Sequence, residues 1–168
     1  MKIIVAVDSN WGIGHRGNLL FWIPEDMKLF KQMTLAKVVV MGRETFESLP
    51  NKEPLKSRIN IVLSKNENFI NENVNICRSL EELFSELEKY DSDDIFVIGG
   101  ESIYFQLLDF CDEAYVTKIE KECVDVDKYF IDLDEYELWR IESISEKKNF
   151  EDVKYRFAKY IKNNIKEG

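Results

Sequence analysis

The chain has 168 residues, 45% of them apolar, and a formal charge of −9 from 32 acidic and 23 basic groups. That is one domain's worth of chain with enough apolar surface for a core, so a single domain over residues 1–168 is expected. The negative balance argues against a nucleic-acid duplex or an anionic membrane as partner, while a local basic pocket for a small anion stays open. Cys77, Cys111 and Cys123 are odd in number and widely spaced. They form no disulfide framework and no metal-ligand cluster, which is the pattern of a reduced, cytoplasmic protein.

In chain order, Met1–Asp8 is apolar but too short for a signal or a membrane span, and reads as a buried strand. Further β-branched runs follow at Val38–Met41, Ile59–Leu63, Ile95–Ile98 and Ala114–Ile119. Near-continuous apolar strands of this kind are usually covered on both faces. Helical spacing falls between them. One helix begins at Pro24, and one follows Ser79 as N-cap with Glu82 at the capping-box position. Another runs from Glu101 to about Phe110. Alternating runs and helices predict an α/β domain. Leu138–Ile144 and Val153–Ile161, separated by polar Ser145–Glu151, predict an antiparallel pair on the edge of a mostly parallel sheet. The tail Lys162–Gly168 is polar and expected to fray.

Asp26 stands out. Asp26, Phe30 and Met33 follow one another three or four residues apart, beside Met27, on the apolar stripe of the Pro24 helix. A lone carboxylate there is costly without a partner, and the face supplies no cation, so a ligand is the candidate partner. A carboxylate capping a local turn is the bland reading.

Gly12, Gly14 and Gly17 spell G-x-G-x-x-G after a strand. A dinucleotide fingerprint would open a long helix at once, and the residues up to Pro24 leave no room for one. A glycine-rich loop carrying Trp11, Leu19, Leu20, Phe21 and Trp22 suits an active-site lid. An ordinary surface loop packing its aromatics on the core is the alternative. Gly99-Gly100, between the run Ile95–Ile98 and a helix, lets the backbone approach a phosphate at a helix N-terminus. Val38–Met41, then Gly42, Arg43, Glu44 and Thr45, repeats that logic and adds a cation. Two such junctions suggest a dinucleotide.

The segments Gly12–Gly14, Ile23–Asp26, Met41–Leu49, Ser57–Ser64 and Val97–Tyr104, with Thr117 after them, closely resemble bacterial-type dihydrofolate reductases. The resemblance spans the whole chain in order. It implies a mostly parallel, eight-stranded twisted sheet flanked by helices, and reduction of 7,8-dihydrofolate to tetrahydrofolate with NADPH. By this resemblance Asp26 meets the pterin edge, with Thr117 bonded to it, while Phe21 and Leu19 belong to the catalytic lid. Val5, Ala6, Met27, Phe30, Leu49 and Leu55 line the substrate side, and Arg58 anchors the glutamate-tail carboxylate. The cofactor side is implied at Ala6, Ile13, Gly14, Asn18, Leu19, Gly42, Arg43, Glu44 and Thr45. It continues at Leu63, Ser64, Lys65 and Arg78, and from Ile98 through Gly99, Gly100, Glu101, Ser102 and Ile103 to Tyr104. Antifolate binding, a monomer and no metal are implied as well.

Some positions depart from the family pattern. Phe21 stands where tryptophan is usual, and its ring has no N–H for an ordered water. Glu101 and Ser102 replace a small residue and a frequent basic one, which leaves Arg43, Ser64, Lys65 and Arg78 for a 2′-phosphate. The rival readings are a pyrimidine reductase of riboflavin synthesis on the same fold and a non-enzymatic nucleotide-binding scaffold. The first should lack Asp26 and Arg58 together, and the second gives an unpaired Asp26 no purpose. His15, the lone histidine, is expected at the surface, and Trp139 in the core.

Overall fold

A computed structural model describes residues 1–163. In chain order it contains β1 (Lys2–Val7), β2 (Gly12–His15), β3 (Asn18–Leu19), α1 (Pro24–Thr34), β4 (Val38–Gly42) and α2 (Arg43–Ser48). Then come β5 (Ile59–Leu63), β6 (Asn75–Cys77), α3 (Leu80–Leu87), β7 (Ile95–Gly99), α4 (Glu101–Leu107) and β8 (Glu113–Ile119). The chain closes with β9 (Lys128–Tyr129), β10 (Trp139–Ile144), β11 (Lys148–Phe150) and β12 (Val153–Lys162). The main sheet runs β10-β12-β8-β1-β7-β4-β5-β6, with β11 added on β12. From β8 to β6 every pairing is parallel, and β12 and β10 add the antiparallel edge.

The apolar runs became strands because each has a face for both layers. Ile3, Val5 and Val7 of β1, Val38 and Val40 of β4, and Ile95 and Val97 of β7 face one core with Leu83, Ile103 and Leu107 from α3 and α4. The alternate residues Ile4, Val39, Met41 and Phe96 face a second core, where Phe46 of α2 and Phe30 and Met33 of α1 pack. Alternation at period 2 assigns the faces. Neighbouring β4 and β7 therefore send their following helices, α2 and α4, to opposite faces. The carboxyl ends of those strands form the crevice where α/β sheets take ligands.

Several expectations change in detail. The helix beginning at Glu101 is α-helical only to Leu107 and tightens to a 3₁₀ turn over Leu108–Phe110. The polar stretch 145–151 holds β11 as well as a connection. β6 is a three-residue strand that its short apolar content did not announce. Lys162 and Asn163 are not frayed: their N–H groups donate to Asp112 O (2.9 Å) and Leu138 O (2.7 Å). The remainder of that tail, 164–168, lies outside the described residues. Trp139 is buried as expected.

Candidate active site

Ile23 is buried and extended, and Pro24 opens α1 with its fixed φ at a position that needs no N–H donor. This start places Glu25 and Asp26 side by side in the first turn, in contrasting surroundings. Glu25 accepts from Tyr155 OH at 2.5 Å and pairs with Lys148 Nζ at 3.1 Å, and the Tyr155 bond first, then Lys148, hold its carboxyl below the usual range. Asp26 accepts one bond, from Thr117 Oγ1 at 2.6 Å, and has no ion pair among the described residues. Desolvation pushes its carboxyl above the usual range, opposed by the Thr117 bond. Two adjacent carboxylates are thus separated by environment, one neutralised by the protein and the other left for a ligand. Thr117 of β8 sits opposite Ala6 of β1 and Phe157 of β12, so the sheet itself fixes the hydroxyl.

A second wall leads away from Asp26. Phe30 is half-buried against the second core, in company with Leu49 and Leu55. The Arg58 guanidinium lies over the Phe30 ring, 6.0 Å from its centroid. Arg58 Nε donates to Thr34 Oγ1 (3.0 Å), whose hydroxyl donates to Phe30 O (2.7 Å). Buried Asn60 exchanges two 2.9 Å bonds with the backbone of Leu55 and donates to Arg58 O at 3.2 Å. Thr34 and Asn60 were missed as site residues. Asn60 carried a readable signal, a polar side chain inside an apolar β-branched strand. Among the described residues Arg58 has no carboxylate partner, and desolvation lowers its pKa. An aromatic wall ending in an unpaired guanidinium suits an aryl group that ends in a carboxylate.

On the other side, the N-termini of α2 and α4 converge. A Cβ on Gly42 would lie 2.9 Å from Ile103 Cγ1, and one on Gly100 would lie 3.4 Å from Thr45 Oγ1. Gly99 has φ +124°, a conformation other residues rarely adopt, and a Cβ there would press on the Tyr104 ring at 3.3 Å. Tyr104 OH donates to Ile4 O (2.8 Å), which locks α4 onto β1. Glycine backbone beside paired helix N-termini makes a cradle that fits a diphosphate. Farther out, Ser64 is buried and Lys65 exposed. Arg43 pairs with Glu47 at 3.0 Å on its own helix. Three N–H donors of Arg78 go to the carbonyls of Ser64, Asn66 and Phe69, so Arg78 braces the loop that carries Ser64 and Lys65. Ser102 is exposed and bonded to Gln106.

The glycine loop forms no helix, as the residue spacing required. It is a small sheet, β3-β2-β9. Leu19 is 67% exposed and Trp22 66%, whereas Phe21 packs near Ala6, Ile23 and Tyr155. Leu19 thus stands apart from the half-buried residues around Asp26, and Asn18 lies in the same exposed strand. Its pairing with Gly14, not core packing, decides that position. Buried Asp8, also missed, accepts from the N–H groups of Asn10, Gly12 and Cys123 at 2.7–3.0 Å and ties the loop's entry to the 123 region. His15 contacts the Asp125 carbonyl within this lid. The three cysteines are free thiols, Cys77 and Cys111 buried.

Fold and site together define a mostly parallel-sheet α/β domain with a desolvated carboxylate at the start of α1 and paired glycine–helix junctions at its strand ends. The family model described as Dihydrofolate reductase matches residues 1–162. A dihydrofolate reductase of Buchnera aphidicola subsp. Acyrthosiphon pisum is 34% identical over 149 residues, covering 89% of this chain and 88% of that one. The Schistosoma mansoni dihydrofolate reductase is 39% identical over 148 residues, covering 80% and 79%. The solved structure of the Enterococcus faecalis dihydrofolate reductase, complexed with NADP(H) and RAB-propyl, superposes with a TM-score of 0.84 at 30% identity, covering 97% and 96%. The chain belongs to the dihydrofolate reductase family.

Proposed function

We propose that this chain reduces 7,8-dihydrofolate to 5,6,7,8-tetrahydrofolate with NADPH, by hydride transfer to C6 and protonation at N5. The observation that carries the reading is Asp26: a desolvated carboxylate with one hydroxyl partner, next to a glutamate the protein has already neutralised. Its second oxygen and the first together present acceptors to a planar pair of N–H donors, the 2-amino group and N3 of a pterin. The raised pKa favours engagement of a proton-bearing substrate, and water supplies N5 with Asp26 as the nearby charge. Phe30, Leu49 and Leu55 hold the aryl ring, and Arg58 takes the tail carboxylate. NADPH supplies the hydride when bound. Gly42, Thr45, Gly99 and Gly100 would hold its diphosphate, with Arg43, Ser64 and Lys65 at the 2′-phosphate. The lid around Leu19 and Phe21 excludes water from the reacting atoms.

The reading includes a single-domain, monomeric, cytoplasmic enzyme that serves one-carbon metabolism and is inhibited by antifolates. The test is absorbance at 340 nm with NADPH and dihydrofolate, with an antifolate as control. Asp26→Asn should lose most turnover at neutral pH and keep NADPH binding. Turnover near wild type in that variant rejects the role of Asp26, and no dihydrofolate-dependent NADPH oxidation by the wild type rejects the function.

A further inference from the structure

We propose that Glu101 is a positioning residue that fastens the lid sheet to the helix at the glycine cradle. An acidic side chain at the first position of α4, next to Gly100, complements the free N–H groups of the helix N-terminus. The geometry gives it a partner beyond the helix. Glu101 Oε2 accepts the backbone N–H of Tyr129 at 2.6 Å, across 28 residues of chain.

Tyr129 belongs to β9 and is paired with Gly12 of β2, and β2 carries β3 with Leu19 on its other edge. One carboxylate therefore connects α4 to a whole three-stranded sheet. That sheet is built from strands of four, two and two residues, too short to hold its place by its own ladder. A charge-assisted bond at this length is among the stronger single contacts available to it. The other polar bonds at this lid run elsewhere. Asp8 joins Gly12 to Cys123, and Asp127 Oδ2 accepts from Arg16 N at 2.9 Å. Phe130, which follows β9, packs edge-on against Tyr104 of α4 with ring centroids 5.0 Å apart, and the bond that Glu101 accepts from Tyr129 is the hydrogen bond that joins β9 itself to the helix among the described residues. The tether stands on this geometry alone, while its effect on hydride transfer rests on the function proposed above.

Amide hydrogen exchange on the cofactor-free protein tests the tether. Tyr129 N–H is the probe, and Tyr104 N–H, bonded to Gly100 O within α4, is the reference. In Glu101→Ala, Tyr129 should exchange about tenfold faster while Tyr104 is unchanged. Glu101→Gln keeps a carbonyl acceptor and should recover most of the protection. Single-turnover hydride transfer from NADPH should slow several-fold in Glu101→Ala, with dihydrofolate affinity unchanged. Wild-type exchange at Tyr129 in Glu101→Ala, or equal acceleration at Tyr104, overturns the proposal. A wild type that does not oxidise NADPH sinks the proposed function and leaves the exchange result to judge the tether.

Discussion

At Asp26 the protein keeps a desolvated carboxylate with one hydroxyl as partner, and this has a consequence for stability. Its folded-state pKa lies above the unfolded one, so between the two values the folded chain binds more protons. Stability then falls as pH rises through that window, and the loss is complete above the folded pKa. Asp26→Asn removes that loss. The variant should melt above the wild type at pH 7, and the gap should close as pH falls below about 3, where an unfolded aspartate is protonated. Equal melting curves at pH 7 would contradict the desolvation. Arg58 poses the opposite problem, a cation held by Thr34 and by the carbonyl of Lys56 and without a carboxylate partner among the described residues. Arg58→Lys keeps the charge and loses the fork. Dihydrofolate binding should weaken roughly 10- to 100-fold, as for loss of a charged hydrogen bond, with NADPH affinity within about twofold. Equal losses for both ligands, measured by titration, would remove Arg58 from the substrate side.

At the scale of elements, the two strand–glycine–helix junctions decide how closely the helix N-termini approach. At Gly42 the obstacle is a side chain packed in the first core, Ile103, so the neighbour cannot simply swing away. Gly42→Ala should cost about 1–3 kcal/mol through overpacking. Chemical denaturation should show this as a lower midpoint at unchanged slope, and NADPH affinity should fall with it. A variant with wild-type stability and affinity would show that the approach of α4 to β4 is not tight. The lid elements follow another rule. β2, β3 and β9 are short, the residues of β3 and β9 are exposed, and side chains from elsewhere, Asp8 and Glu101, hold the sheet. Local order there is separable from the order of the main sheet.

At the scale of the molecule, two cores on opposite faces of one sheet seat α2 and α4 on either side of it. Leu107 of α4 is fully buried in the larger core. Leu107→Ala should cost about 2–5 kcal/mol, which thermal unfolding would read as a fall of several degrees, with Asp26 chemistry retained below the new transition. A loss of activity without a loss of stability would mean that Leu107 acts on the site directly. The antiparallel edge also serves the site. β12 brings Tyr155 to Glu25 and Phe157 opposite Thr117, so the last strand of the described chain supports the first turn of α1.

The sequence by itself determined the parallel strands and the helices between them, because apolar β-branched runs and helical spacing are local patterns that burial on two faces rewards. It also marked Asp26 and the glycine junctions, since a carboxylate on an apolar stripe and glycine after a strand are costly or special wherever they occur, whereas Arg58 was legible only through the family resemblance. Ser79 as N-cap was legible too, although the Glu82 carboxylate bonds the N–H of Arg78 rather than that of the cap. The tertiary structure alone decided which carboxylate stays unpaired, because Lys148 and Tyr155 reach Glu25 from more than 120 residues away in sequence. It likewise turned Arg78 toward loop carbonyls, placed Asn60 under Leu55 and Arg58, and built a lid sheet from fragments too short to show a period. Pairing between distant segments depends on which groups a fold brings within hydrogen-bond reach, and no local pattern encodes that distance.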